Sequence, residues 1–163
     1  MPVSRPQWTD QDITAIYERH VDAVYRMCYL HFRGSPMDAE DAVQSTFVQL
    51  LRRPQQFESQ RHERAWLLVT ARNTCRNGLR RWWRRHTAAW PEGLDAAAPP
   101  PDATLQAVLS LPEPYREALY LHYYEGYSGA EIAQMTHSTP SAVWGWLHRG
   151  RQMLGDVLKE EFA

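Results

Sequence analysis

Lysine is almost missing from this chain: of 18 basic residues among 163, Lys159 alone is not an arginine. The basic surface is therefore built of guanidinium groups, which grip phosphate in a bidentate fashion and stack on rings. Cysteine is as scarce. Cys28 and Cys75 both fall inside helical patterns, which points to small buried hydrophobes in a reducing compartment and excludes a disulfide framework. No apolar run approaches the length of a membrane span, and the polar start MPVSRPQWTDQD has no apolar segment of the signal-peptide kind. A cytoplasmic location with no membrane insertion is expected. Internal repeats, strand-like alternation and glycine-rich phosphate loops are absent too, which leaves an all-α fold. The seven histidines form no ligand cluster, since the spacing of His20, Cys28 and His31 does not keep all three on one helical face. Nor is there a Ser-His-Asp or paired-carboxylate arrangement that can be placed in a pocket. Neither a metal, a cofactor nor a catalytic site is expected.

What the chain does have is a segregated charge. Its formal net charge is only -1, but residues 1–86 carry 14 basic and 9 acidic side chains, whereas residues 105–163 carry 4 and 7. Such asymmetry suggests a nucleic-acid partner for the basic half. The surplus is concentrated between Glu63 and Arg85, where Trp66, Trp82 and Trp83 stand among seven arginines and Glu63 is the one acid. Guanidinium groups that neutralise phosphates, beside flat rings on which an unpaired base can stack, suit a protein that holds an opened strand. A solvated helix face is the other reading of the same pattern.

The periodicity predicts three helices in the first half. Ile13, Ile16, Tyr17, His20, Val24, Met27 and Cys28 recur at helical spacing until Gly34-Ser35-Pro36 breaks the chain. Ser35 can cap a second helix with Pro36 at its first position, acids near its positive end and an apolar stripe of Ala39, Val43, Phe47, Leu50 and Leu51. A polar loop, 55–62, leads to the arginine helix, whose inner side is read as Trp66, Leu67, Val69, Thr70, Cys75 and Leu79. Residues 87–104 hold four prolines and three acids, the composition of an extended or disordered linker. The expected domains are thus 1–86 and 105–163.

The second half reads as a short helix over 105–110, a helix over 115–124, and then a capping box, Ser128-Gly-Ala-Glu131, opening a third with Ile132, Ala133 and Met135 inward. After Thr136-His137-Ser138, Thr139 caps a longer helix with Pro140 at its first position, running to about Leu158. A short helix, a tight turn and a longer helix make a helix-turn-helix, although many small helical domains contain two helices at this spacing. In the DNA-reading version Thr139, Ser141 and Ala142 lie at the end that enters the major groove, and His148, Arg149 and Arg151 offer later contacts.

With these segments in order, the chain resembles an extracytoplasmic-function (ECF) sigma factor over about residues 13–155. DAEDAVQSTFVQLLRR is similar to the helix that grips the clamp coiled coil of RNA polymerase, and AWLLVTARNTCRNGLRR to the helix that melts and reads the minus-ten element. LPEPYREALYLHYYEGYSGAEIAQMTHSTPSAVWGWLHRGRQML is similar to the domain that reads the minus-35 element. The resemblance implies that Asp41, Gln44, Phe47 and Leu50 dock on the beta-prime clamp of core polymerase. It also implies that Trp66, Asn73 and Asn77 hold the melted non-template strand while Arg72, Arg76, Arg80 and Arg81 track its backbone. The loop from Gln56 to Arg61 would accept a flipped base. Promoter duplex and an anti-sigma factor are the further partners implied.

The chain departs from the family's pattern in its recognition helix, where Trp144 and Trp146 replace a lysine and an arginine and Gly145 and Gly150 interrupt the helix. Either the two rings make apolar contacts in the groove, for instance with thymine methyls, or one packs inward or against a protein. Two other classes stay open: a duplex-binding helix-turn-helix regulator acting without polymerase, and a sigma-like protein-interaction module.

Overall fold

The computed structural model describes residues 8–32, 36–85 and 103–162, with side chains in α3 described as far as Gly78. The chain divides into two compact units, Met1–Ala97 and Ala98–Ala163, and the described residues contain helices and connecting turns with no strand.

The first unit packs α1 (Asp10–His31), α2 (Pro36–Arg52) and α3 (Gln60–Arg85) against one another. Thr9 starts α1 with a capping box: its hydroxyl accepts the Asp12 N–H at 3.2 Å, and the Asp12 carboxylate accepts the Thr9 N–H at 2.9 Å. Those bonds from Thr9 hold the Asp12 carboxyl below the usual carboxylate range. The core takes Ile16, Val24, Met27 and Cys28 from α1, Ala39, Val43, Phe47 and Leu50 from α2, and Leu67, Leu68, Ala71 and Cys75 from α3. Tyr17 and Leu51, counted as inward from their spacing, are exposed. Trp66, Val69 and Thr70 are half-buried, so the inner stripe of α3 runs through Leu67, Leu68, Ala71 and Cys75. The expected Ser35 cap and the Leu79 side chain lie outside the described residues, as does most of the expected linker. Its last two residues, Ala103 and Thr104, belong to α4.

The second unit consists of α4 (Ala103–Leu109), α5 (Glu113–Leu119), α6 (Gly129–Met135) and α7 (Pro140–Phe162), with α4, α5 and α6 all packed on α7. Helix α5 widens into a π turn over Tyr120–Tyr124, where the Glu125 N–H reaches back five residues to the Tyr120 carbonyl at 3.3 Å. The turn is held inside by the Tyr120 hydroxyl, which donates to the buried Glu125 carboxylate at 2.6 Å, and outside by His122 Nδ1, which donates to the Tyr127 carbonyl at 2.7 Å. Gly126, at φ 78°, then reverses the chain in a conformation that disfavours any β-carbon.

The Ser128 capping box forms as read, with the serine hydroxyl accepting the Glu131 N–H at 3.2 Å and the glutamate accepting the Ser128 N–H at 3.1 Å. The C-terminal end of α6 is a Schellman turn. Ser138 N–H bonds to the Ala133 carbonyl at 2.8 Å and His137, at φ 54°, takes the left-handed position that glycine usually fills. Thr139 then caps α7, its hydroxyl accepting the Ala142 N–H at 3.2 Å. Gly150 is buried where α7 crosses α5; a β-carbon there would meet Leu119 Cδ1 at 3.0 Å, so this glycine sets how closely the two helices approach.

Candidate nucleic-acid interface

The entry to α3 is fixed by a charged cluster that periodicity could not reveal. Glu63 is buried in the first turn of α3, and its Oε1 accepts from His20 Nε2 at 2.6 Å and from Arg19 Nη2 at 2.9 Å and Nε at 3.2 Å. Arg64 Nε donates to the other ring nitrogen of His20 at 3.3 Å. His20 thus donates through one nitrogen and accepts through the other, the pattern of a neutral ring. Burial pushes its pKa down, and the guanidinium groups of Arg64 and Arg19 add to the shift, against the opposing pull of Glu63. The single acid of the arginine stretch is therefore the pin that ties α3 to α1.

Just before this pin, the loop of residues 53–59 is organised around Phe57. Its ring lies 5.9 Å from that of Trp66, 6.2 Å from Trp8 and 5.4 Å from His62, centroid to centroid. An open hollow of about 510 Å³ adjoins it, lined by Trp8, Asp12, Arg19, Gln55, Gln56, Phe57 and Glu63 among others. Trp66 also lines a second hollow of about 440 Å³ with Gln49, Arg52, Arg53 and Thr70. Both are large enough for a nucleobase, and each combines a ring with polar groups suited to its edges.

From Trp66, one face of α3 continues through Thr70, Asn73 and Asn77, residues spaced by three and four. Asn73, Arg76 and Asn77 are exposed. Arg72 is not part of this open face. It is 7% exposed, on the face it shares with the buried Leu68 and Cys75 four residues before and three after it, whereas tracking a DNA backbone needs an open guanidinium. Arg80 and Arg81 continue α3, with side chains outside the described residues.

On α2, the structure separates the four residues expected to dock on polymerase. Asp41 and Gln44 are exposed, but Leu50 is 1% exposed and Phe47 is buried with its ring 4.9 Å from that of Tyr17. Leu50 and Phe47 sit in the core, as the apolar stripe read from spacing has them, and not on the surface that the docking role implied by the resemblance needs. The apolar groups that α2 does present are Met37, Val48 and Leu51, and with Asp41 and Gln44 they form one continuous stripe at intervals of four, three, four and three residues. Of the inner stripe read from spacing, Phe47 and Leu50 are buried and Leu51 is exposed, because the stripe is narrower than two adjacent leucines.

In the second unit Thr139, Ser141, His148, Arg149 and Arg151 are exposed and Ala142 is half-buried. Arg151 Nη1 donates to the Tyr123 hydroxyl at 3.1 Å. The two tryptophans part company: Trp146 is half-buried and Trp144 is 53% exposed.

Comparison with known proteins accounts for both units. Residues 16–85 match the family Sigma-70 region 2, and residues 102–154 match Sigma-70, region 4. The chain is 34% identical over 166 residues to the ECF RNA polymerase sigma factor SigE of Mycolicibacterium smegmatis, covering 94% of this chain and 62% of that protein's length. It is 30% identical over 156 residues to the RNA polymerase sigma factor CarQ of Myxococcus xanthus, covering 89% and 88% of the two chains. Among solved structures it is similar to the sigma factor RpoE in complex with the anti-sigma factor NepR from Bartonella quintana (TM-score 0.73, 22% identity, 91% and 98% coverage). It is also similar to CnrH in complex with the cytosolic domain of CnrY (TM-score 0.64, 23% identity, 93% and 90% coverage). None of the described helices is long and apolar enough to cross a membrane. With a region 2 unit built on α1–α3 and a region 4 helix-turn-helix built on α6 and α7, in the family's order, the chain belongs to the ECF sigma factors, the alternative sigma subunits that direct transcription initiation by RNA polymerase.

Proposed function

We propose that the face of α3 running from Trp66 through Asn73 and Asn77 holds the melted non-template strand of a promoter, with Arg76 on its backbone and the hollows beside Phe57 and beside Trp66 taking unstacked bases. What supports this reading is that half-buried rings and two base-sized hollows at the start of α3 lead onto exposed amides along the face that begins at Trp66. Rings give sequence-tolerant stacking, about 1–3 kcal/mol per base, and asparagine amides add hydrogen bonds to base edges. The stripe Met37, Asp41, Gln44, Val48 and Leu51 on α2 is the docking face for the clamp of core polymerase, an apolar seam flanked by acids. Helix α7 enters the major groove of upstream duplex with Ser141 leading and His148, Arg149 and Arg151 behind. An anti-sigma factor, of the kind with which the related structures were solved, would hold the chain inactive by covering these faces. The chain acts as an initiation factor with no chemistry of its own.

The test uses the full chain with core polymerase and a fork-junction DNA carrying a single-stranded non-template segment. Asn73→Ala with Asn77→Ala lowers affinity for the fork tenfold or more and leaves affinity for core polymerase unchanged. If the double variant binds the fork as the parent does, the strand lies elsewhere.

A further inference from the structure

The Trp144 side chain is neither a core residue nor an unsupported one. A β-carbon built on Gly129 would lie 2.9 Å from its Cε2 and 3.1 Å from its Cζ2, so the indole rests against the first turn of α6 in a seat that only glycine leaves open. The ring is nonetheless 53% exposed. It stands one turn after Ser141 and one before His148 on α7, and Gly145 beside it has open space where a side chain would be. A large apolar surface is thus presented at a fixed angle on the helix read as entering the groove, with a gap next to it.

The surrounding charge gives this ring its partner. Residues 105–163 carry 4 basic and 7 acidic side chains, and of the basic ones Arg116 is buried while Arg151 donates to Tyr123. Phosphate attraction alone is weak for such a unit. In the major groove the one apolar feature of a base pair is the thymine C5-methyl group. We propose that Trp144 is a specificity-determining residue that packs on a thymine methyl in the upstream element, with Gly129 as the residue that seats the ring. The inference rests on the reading that α7 binds upstream duplex. It substitutes an apolar, salt-insensitive base contact for an ionic one to phosphate.

The experiment starts from a duplex selected out of random sequence by the full chain bound to core polymerase, and replaces each thymine in turn by deoxyuridine, which lacks only the methyl. For the parent chain, one replacement weakens binding about fourfold, the worth of a buried methyl-sized group at ~0.8 kcal/mol. Trp144→Ala binds more weakly and is indifferent to that replacement. Gly129→Ala, which keeps the tryptophan but occupies its seat, loses the same discrimination. Trp144→Lys loses it too, and steepens the fall of log affinity with log salt by about 0.9, one added phosphate contact. Thermal unfolding of each variant shows that the unit is intact. A flat deoxyuridine series for the parent, or a dip that Trp144→Ala retains, overturns the role of Trp144 and leaves upstream binding by α7 standing. If the complex selects no upstream sequence at all, or selects one that His148→Ala with Arg149→Ala leaves unaffected, the reading of α7 falls and the inference with it.

Discussion

His20 is the residue whose chemistry reaches furthest from its own position. Because burial and the neighbouring guanidinium groups lower its pKa in the folded chain, the unfolded chain takes up its proton first as the pH falls through the ordinary histidine value of about 6.5. The stability it contributes is complete above that value and is lost as the solution becomes more acid, by at most about 1.4 kcal/mol per pH unit. Urea unfolding between pH 7.5 and 5 measures this directly. His20→Asn, which does not titrate, flattens the pH dependence relative to the parent, and an unchanged slope would mean that His20 titrates alike in the folded and the unfolded chain. Leu50 and Leu51 make a second contrast at this scale. Leu50→Ala costs about 2–5 kcal/mol of stability, as expected for a core leucine. Leu51→Asp, at a position 45% exposed, leaves stability within about 0.5 kcal/mol but weakens binding to core polymerase at least tenfold. The reverse pattern would exchange their roles.

Helix starts were the most legible elements, because their signals are local. The Ser128 box and the Thr139 cap stand in the sequence as they stand in the structure. The Thr9 box went unread, since the polar residues around it also resemble a loose terminus. Less legible was what happens inside helices, where the deciding partner is remote in sequence: Glu63 meets His20 across 43 residues, and Gly150 meets Leu119. Read as helix interruptions, Gly145 and Gly150 look alike, and their surroundings make them opposites. Gly145→Ala adds a side chain in open space and stabilises the second unit by up to about 1 kcal/mol through helix propensity. Gly150→Ala gains the same propensity but presses on Leu119, so it is less stable than Gly145→Ala. Thermal unfolding of the two variants checks the order, and equal midpoints would mean that α5 yields freely. The π turn at Tyr120–Tyr124 had no signal in the sequence, since it differs from an α-helix only in which carbonyl each amide reaches.

For the whole molecule, composition was the surest guide to function. The surplus of arginine in one half and of acid in the other survives as a division between two units: the face proposed to hold a strand lies on the first, and the helix proposed to read duplex, nearly neutral and carrying the exposed Trp144, on the second. The candidate site was legible in its residue types and less so in its facing. Trp66, Asn73, Arg76 and Asn77 lie where helical spacing puts them, whereas Arg72, Phe47 and Leu50 turn inward because a three-helix core must fill itself from every element before any face is left for a partner. The central claim is that this chain and core polymerase together open a promoter that neither opens alone. The measurement is permanganate reactivity of thymines on genomic promoter fragments, with the full chain, with core polymerase and with both. Reactive thymines downstream of the selected upstream element, appearing only with both components, are the predicted result. A chain that fails to bind core polymerase, or binds it and leaves every thymine paired, would contradict the account and leave a duplex-binding regulator in its place.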